Sequence, residues 1–390
     1  MPVSGHPTMQ HRPSKNALPR RILVRQPLRL EGVEAIGLDL DHTLALYDDW
    51  IVNDLAFAET CRFLVEDKGY PDAVSSFRFL DAKACRGLVA DLRQGNLLKL
   101  DYRDRVRRAR HGRLALEAAE VRGLYGRSGM AVEQAGHLAF DSPFDLPAAK
   151  LFSLAVDFGL EPRDRIPDYR ALFSDILEAL DQSHTRGELK QTILSNPGRF
   201  VAAPVGVAAS LERLRSAGFK LFLLTNSGYD YTCALMDHLL NGWRQVFDLA
   251  VTGARKPEFF TAGTSPRPID VRGRGATMWE GGGAVGLTTI LGVTPERICY
   301  VGDNPTHDCR AARAAQWRTA MIIPEILSEI EGEAPRSVGG AVTHDDWWGP
   351  ALWEGKDPTR FQRFACDYAE AVAPDLTTLL DSAQAGMPCP

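Results

Sequence analysis

The chain has 390 residues, enough for two or three domains at about 150 residues each and for a large buried core. Its 45 basic and 50 acidic residues give a formal net charge of -5, which excludes the strongly basic balance of a nucleic-acid binder, and no run reaches the roughly 18 apolar residues of a membrane span. The seven cysteines stand apart with no C-x-x-C pair, so they read as reduced thiols of a cytoplasmic protein rather than as a disulfide framework.

Met1 to Arg20, rich in Pro, Ser, His and Arg, lacks the apolar stretch of a secretory signal and reads as a loose tail. Its poverty in acidic residues also admits a transit peptide. Arg21 to Leu30 reads as a lead-in strand or linker. Ala35-Ile36-Gly37-Leu38 is then a short apolar run between polar residues, the pattern of a fully buried strand in a parallel sheet. It ends in two carboxylates, and in open α/β sheets functional groups gather at the carboxyl ends of strands. If the strand continues through Leu40, Asp39 and Asp41 leave on one face, as a nucleophile and a proton donor acting on one substrate require. Taken alone, D-x-D-x-T is equally a turn whose Asp and Thr bond their own backbone.

Phe57, Cys61 and Leu64 recur at helical spacing and predict a helix over 53–68, stopped by Gly69-Tyr70-Pro71. Residues 85–100 alternate in part around a Gly95-Asn96 turn and predict a β-hairpin. From Ser128 to Ala179 the pattern is helical again, interrupted by Pro143, Pro147, Pro162 and Pro167. About 150 mostly helical residues thus separate the first buried strand from the next, the size of an inserted domain rather than a loop.

Phe219 to Leu224 is the second buried strand, preceded by a helix over 208–217 and followed by Thr225-Asn226-Ser227-Gly228, which opens a helix through Leu240. A hydroxyl, an amide and free backbone N–H groups at such a strand end form an anion cradle, although T-N-S-G also serves as a plain helix cap. A third segment, Val246 to Val251, leads to Arg255-Lys256-Pro257, with Pro257 placed to start a helix. A fourth strand, Ile298 to Val301, ends in Gly302-Asp303-Asn304-Pro305-Thr306-His307-Asp308 before a helix over 309–316. Four strands ending in D-x-D, T-N-S, K-P and G-D-x-x-x-x-D, in this order, are more specific than any one of them.

With these motifs the chain resembles the haloacid dehalogenase superfamily of phosphohydrolases, and within it the cytosolic purine 5'-nucleotidase family. The local matches are L-D-L-D-H-T-L-A-L-Y, R-G-L-V-A-D-L-R-Q-G-N-L-L-K-L-D, F-D-L-P, L-L-T-N-S-G-Y-D-Y-T, F-D-L-A-V-T-G-A-R-K-P-E-F-F and Q-W-R-T-A-M-I-I-P-E, from about Arg25 to about Ile330. The resemblance implies an α/β fold: a Rossmann-like parallel-sheet core over 21–50 and 200–330, a large, mainly helical cap inserted at 51–199, the tail at 1–20, and an extension at 331–390 packing on the core. It implies a 5'-nucleotidase that cleaves nucleoside monophosphates through an aspartyl-phosphate, with Asp39 as nucleophile and Asp41 as acid and base. Mg²⁺ would be held by the carboxylates of Asp39 and Asp303 and the backbone carbonyl of Asp41, with Asp308 supporting the shell or joining it through water. Thr225, Asn226 and Ser227 would hold the phosphoryl oxygens, and Lys256 would balance the charge. The relatives form dimers built into tetramers, so the resemblance also implies a homo-oligomer.

In the cap, Leu177, Asp181 and His184 share one helical face. Similar proteins use the positions of Asp181 and Lys190 for the nucleotide and the position of Phe144 to stack on the base. They place an arginine that reads the purine where this chain has Leu177, so a preference for inosine or guanosine monophosphate does not carry over. From the residues alone, Asp181 and His184 can also be read as a solvated helix face, and Phe144 is equally a core residue. A phosphatase or phosphotransferase for another small monoester, or a non-catalytic regulatory protein on the same fold, stays open as well. Thr261 to Thr289, rich in Gly, Arg and Pro, reads as an excursion between motifs, and Trp347, Trp348 and Trp353 point to a packed C-terminal segment.

Overall fold

Ala35–Leu38 is buried at every position and hydrogen-bonds on both sides in parallel register, to Lys220–Leu224 and to Ile298–Gly302. A strand with no polar residue has no face to give to water, so it takes the middle of a sheet covered on both sides. In the computed structural model of the protein, residues 27–132, 136–159, 168–185, 188–269, 277–331 and 347–384 are described. The tail expected at 1–20, the start of the lead-in and residues 270–276 of the excursion lie outside them.

The sheet has eight strands, in the order Arg267–Pro268, Thr277–Glu280, Leu249–Thr252, Lys220–Leu224, Ala35–Leu38, Ile298–Gly302, Arg318–Ile322 and Ala371–Ala373. Every pairing is parallel except the outermost, between Arg267–Pro268 and Thr277–Glu280. The third sequence-predicted strand starts at Leu249 instead of Val246, because Trp243–Val246 closes a helical turn that buries Trp243. The excursion at 261–289 is also structured: it supplies the two outer strands and the helix Ala284–Leu291. Far along the chain, Ala371–Ala373 pairs with Arg318–Ile322 and the helix Leu376–Gln384 follows it, so the C-terminal segment adds a strand to this sheet.

The first helix of the insertion runs over Asp49–Glu66, four residues earlier than its apolar spacing predicts. Asp48 accounts for the difference, since its carboxylate accepts a hydrogen bond from Ile51 N (3.1 Å) and caps the helix there. The hairpin Val89–Asp91 and Asn96–Leu100 forms around Gly95, whose φ of +69° lies in the left-handed region. It belongs to a five-stranded antiparallel sheet, in the order Leu114–Ala115, Val106–His111, Asn96–Leu100, Val89–Asp91 and His137–Ala139. His137–Ala139 falls inside the stretch that reads as helical; three residues are too few to show a strand period. The helices Leu146–Asp157 and Tyr169–Thr185 pack with Asp49–Glu66 beside this sheet. One apolar cluster includes Phe57, Phe79 and Ile176 of the insertion together with Ile36, Leu223 and Val301 of the parallel sheet.

In the centre of the parallel sheet Phe222 lies against Gly37, where an added Cβ would come 2.2 Å from the Phe222 ring. Gly37→Ala is therefore expected to cost about 1–3 kcal/mol by overpacking. Urea denaturation should show that Phe222→Leu in the same chain recovers part of this cost, because the two sites share one volume.

Candidate active site

The strand bearing the aspartates stops at Leu38, so the two carboxylates do not share a face through a continuing strand. The chain turns instead. The carbonyl of Leu40 accepts hydrogen bonds from Leu44 N (3.0 Å) and Ala45 N (2.8 Å), and His42 takes a positive φ of 55°. This turn aims the two carboxylates at different partners. Asp39 Oδ2 meets Lys256 Nζ at 2.8 Å, while Asp41 accepts from the Tyr47 hydroxyl (2.6 Å) and from the Ser227 hydroxyl (3.0 Å).

The loops after the neighbouring strands close around this turn. Thr225 Oγ1 accepts from Ser227 N (3.0 Å), and Asn226 pins the next loop by donating to the Lys256 carbonyl (3.1 Å) and accepting from its N–H (2.6 Å). Lys256 is buried, and its ammonium meets Asp39 (2.8 Å), Asp308 (2.8 Å) and the Tyr300 hydroxyl (2.7 Å). Pro257 leads into one short helical turn, Glu258–Phe260. After Ile298–Gly302, Asn304 Oδ1 caps the turn Pro305–Arg310 by accepting from Thr306 N (2.9 Å) and His307 N (2.8 Å). That turn carries Asp308 back against Gly302, where an added Cβ would sit 2.5 Å from Asp308 Oδ2. Only glycine leaves room for the carboxylate.

Asp39, Asp303 and Asp308 are all buried, and one oxygen of each lies within 4.8 Å of the others. Burial pushes the Asp39 carboxyl up to about 7, Lys256 opposes the shift, and Asp308 and Asp41 add to it. Burial likewise raises Asp303 well above the usual carboxylate range, against the pull of Arg86. Burial by itself would discharge Lys256, but Asp308 and Asp39 outweigh it and hold the ammonium charged. Three carboxylates thus face one lysine. Asp303 Oδ2 is buried with no hydrogen-bond partner among the described residues, and Arg86 Nη2 lies 3.8 Å away. An open oxygen donor and an excess of negative charge suit a hard divalent cation such as Mg²⁺. Asp308, whose oxygens accept from Lys256 (2.8 Å) and Asn304 N (3.1 Å), fits a supporting place.

The insertion contributes a second group of residues. Phe144 lies between His42 (ring centroids 4.2 Å apart), Tyr47 (5.4 Å) and His184 (5.5 Å). His184 Nδ1 is 3.0 Å from the Leu180 carbonyl, and its Nε2 is buried without a partner among the described residues. Lys190 Nζ lies 4.8 Å from the centre of the Tyr231 ring, whose hydroxyl is 3.0 Å from that of Tyr47. Phe144, His184 and Lys190 are therefore linked through the two tyrosines to Asp41. Asp181 is exposed, and Leu177 is half-buried against the main apolar cluster. Tyr47, Arg86, Tyr231, Tyr300 and Glu325 lie at the site although they did not stand out in the sequence. All but Tyr300 fall within the motif strings quoted above, where they read as part of a pattern and not as functional groups.

The Asp pair, the hydroxyl loop, the lysine and the acidic loop, lined along the carboxyl edge of one parallel sheet, define a phosphomonoester hydrolase core of the haloacid dehalogenase superfamily. A profile described as the 5' nucleotidase family matches residues 22–339, and the chain belongs to that family. It is 29% identical over 341 residues to 5'-nucleotidase domain-containing protein 1 of Homo sapiens, covering 78% of this chain and 74% of that protein. A Dictyostelium discoideum 5'-nucleotidase domain-containing protein is 28% identical over 344 residues, covering 80% of this chain and 56% of its own length. Among solved structures, a haloacid dehalogenase-like family hydrolase from Streptococcus pneumoniae overlaps 90% of this chain and 98% of its own at 13% identity and a TM-score of 0.38. A putative beta-phosphoglucomutase from Thermotoga maritima overlaps 91% of this chain and 100% of its own at 13% identity and a TM-score of 0.37. The family match, and not these loose overlaps, carries the assignment. Among the described residues no helix is long and apolar enough to cross a membrane.

Beneath the aspartate turn, His42 Nδ1 and Asp49 Oδ1 are 3.5 Å apart in a buried setting. Burial lowers His42 to about 3, with Arg86 adding to the effect, and it raises Asp49 to about 7. Both groups are neutral between these values, so the contact is not an ion pair. Because the folded pKa of Asp49 lies above the unfolded value of 3.8, its contribution to stability is fully present below the latter and is lost as pH rises through about 7. Asp49→Asn should match the parent chain below about pH 3.8 and become progressively the more stable of the two as pH rises from there to about 7 and beyond, as followed by thermal unfolding without added metal.

Proposed function

We propose that the protein hydrolyses nucleoside 5'-monophosphates with Mg²⁺ through an aspartyl-phosphate on Asp39. The observation that carries this reading is the buried contact of Asp39 with Lys256 beside the carboxylates of Asp303 and Asp308, in a chain of the 5' nucleotidase family. The carboxylates of Asp39 and Asp303 and the backbone carbonyl of Asp41 would hold the Mg²⁺, with Asp308 supporting them, and the ion when bound would offset phosphate charge and polarise a phosphoryl oxygen.

Asp39 attacks phosphorus while Lys256, which remains charged, offsets the negative charge gathering around it. Thr225, Asn226 and Ser227 supply the hydroxyls, amide and backbone N–H groups that hold the phosphoryl oxygens. Asp41 protonates the leaving ribose oxygen and then takes a proton from the water that clears the acyl phosphate. Its contacts with Tyr47 and Ser227 support this role, since they hold the carboxyl beside the phosphate loop. In the insertion, Phe144 and His184 offer aromatic surface to a base, with Lys190 and Asp181 as polar partners for the nucleotide.

Phosphate release from a panel of nucleoside monophosphates and sugar phosphates, with and without Mg²⁺, tests the reading. Release from the nucleotides that depends on Mg²⁺ supports it, and a protein inert toward the whole panel sinks it. Asp39→Asn should lower kcat by a factor on the order of 10⁴ or more, with circular dichroism unchanged; near-normal hydrolysis by this variant would remove Asp39 from the role.

Leu177 favours weaker discrimination for 6-oxopurines than a donor at that place would give. An apolar contact separates related substrates by only about 1–3 kcal/mol, whereas a hydrogen-bonding site rejects analogues far more strongly. Leu177→Arg is expected to raise kcat/KM for inosine monophosphate about tenfold relative to a pyrimidine nucleotide. Competition assays between the two substrates measure this, and an unchanged ratio argues that another residue reads the base.

A further inference from the structure

We infer that Arg86, which reaches in from the inserted segment, is a positioning residue for Asp303 and thereby sets the affinity of the site for its divalent cation. The inference rests on the reading of Asp303 as a metal ligand. Arg86 is 1% exposed, and its hydrogen bonds converge on one spot. Nη2 donates to the backbone carbonyl of Asp303 at 2.8 Å and to that of Asp141 at 3.2 Å, and Nε reaches the Asp141 carbonyl at 3.2 Å. Nη1 donates to both carboxylate oxygens of Glu325 at 3.2 Å, and Glu325 is itself fully buried. The Phe361 ring covers the guanidinium, with its centroid 4.7 Å away.

This geometry separates two jobs. Glu325 neutralises the Arg86 charge, so the guanidinium can sit 3.8 Å from Asp303 Oδ2 without cancelling that carboxylate's attraction for a cation. The hydrogen bond to the Asp303 carbonyl, by contrast, is a pin: it fixes the residue from behind and leaves Oδ2 without a bonded neighbour. A planar guanidinium meets these three acceptors together, whereas an ammonium on a flexible stem does not. Asp141 extends the tie, because its carboxylate accepts from the Thr306 hydroxyl at 3.0 Å, three residues beyond Asp303. The loop carrying Asp303 is thus held in place by two residues of the insertion.

The test replaces Arg86 and Glu325 together by methionine. This leaves the net charge of the site unchanged and exchanges a buried ion pair for apolar side chains, a change that cores commonly accept. Mn²⁺, a hard cation like Mg²⁺ that takes oxygen ligands, serves as the probe, and its binding is read by electron paramagnetic resonance without substrate. Loss of a group that orients a metal ligand typically costs 10–100-fold in affinity. The Mn²⁺ dissociation constant of R86M/E325M should therefore rise at least about tenfold, and saturating Mg²⁺ should restore kcat. A cooperatively folded double variant that binds Mn²⁺ like the parent chain overturns the inference and leaves Arg86 as a structural tie only. Should the double variant fail to fold, Arg86→Lys keeps the charge but not the convergence. A weaker Mn²⁺ site in that variant supports the inference, and an unchanged one overturns it. A parent chain that binds no Mn²⁺ instead refutes the assignment of Asp303 as a metal ligand, which is a separate failure.

Discussion

One buried ammonium organises the carboxyl edge of the sheet. Lys256 touches the residue after the first strand, the tyrosine within the fourth and the aspartate of the turn that follows it. Removing Lys256 would leave Asp39 and Asp308 buried without their cation, a cost of several kcal/mol in typical cases. Yet the lysine does not balance the site. Three carboxylates against one cation leave the metal-free protein with a standing demand for positive charge, visible in the raised carboxyl groups of Asp39 and Asp303. Stability and chemistry draw on the same imbalance, which disfavours the bare fold and favours a bound cation.

The insertion is tied to the sheet edge at several points. Its first helix starts at Asp49, shortly after the turn that follows the aspartates, its Phe144 contacts His42 and Tyr47, and Arg86 and Asp141 hold the acidic loop. Phe144 rests against His42 and His184 with centroid separations of 4.2 and 5.5 Å. These spacings match direct ring contacts, so a base entering between the rings has to part them.

The central strands were legible in the sequence because each is an unbroken apolar run, and each ends at a residue with no reason to be apolar. That coincidence of pattern and interruption marks Asp39, Thr225 and Asp303 in the sequence, whereas Lys256 stands in the loop beyond Leu249–Thr252. The outer strands were hidden for the opposite reason. Arg267–Pro268 and Thr277–Glu280 are short and partly exposed, and Ala371–Ala373 is only three small residues long. Their strand character comes from a neighbour that offers free hydrogen-bonding groups. Arg86 was illegible as a site residue because its meaning lies in Asp303 and Glu325, which are 217 and 239 positions away. A lone arginine in a sequence gives no sign of such partners. Local spacing grouped Asp181 with His184; in the folded protein His184 meets Phe144, and Asp181 is exposed.

The place of Ala371–Ala373 bears on how the chain is made. During synthesis the strand Arg318–Ile322 emerges roughly fifty residues before the segment that will cover its outer side. At about 5–20 residues per second the wait lasts about 2.5 to 10 s. Through that interval an apolar strand presents a free row of amides and carbonyls, the template on which unrelated strands can pair. The nascent chain thus passes through a sticky stage after every residue of the candidate site has left the ribosome. Its solubility then depends on whatever shields that edge until the last strand arrives.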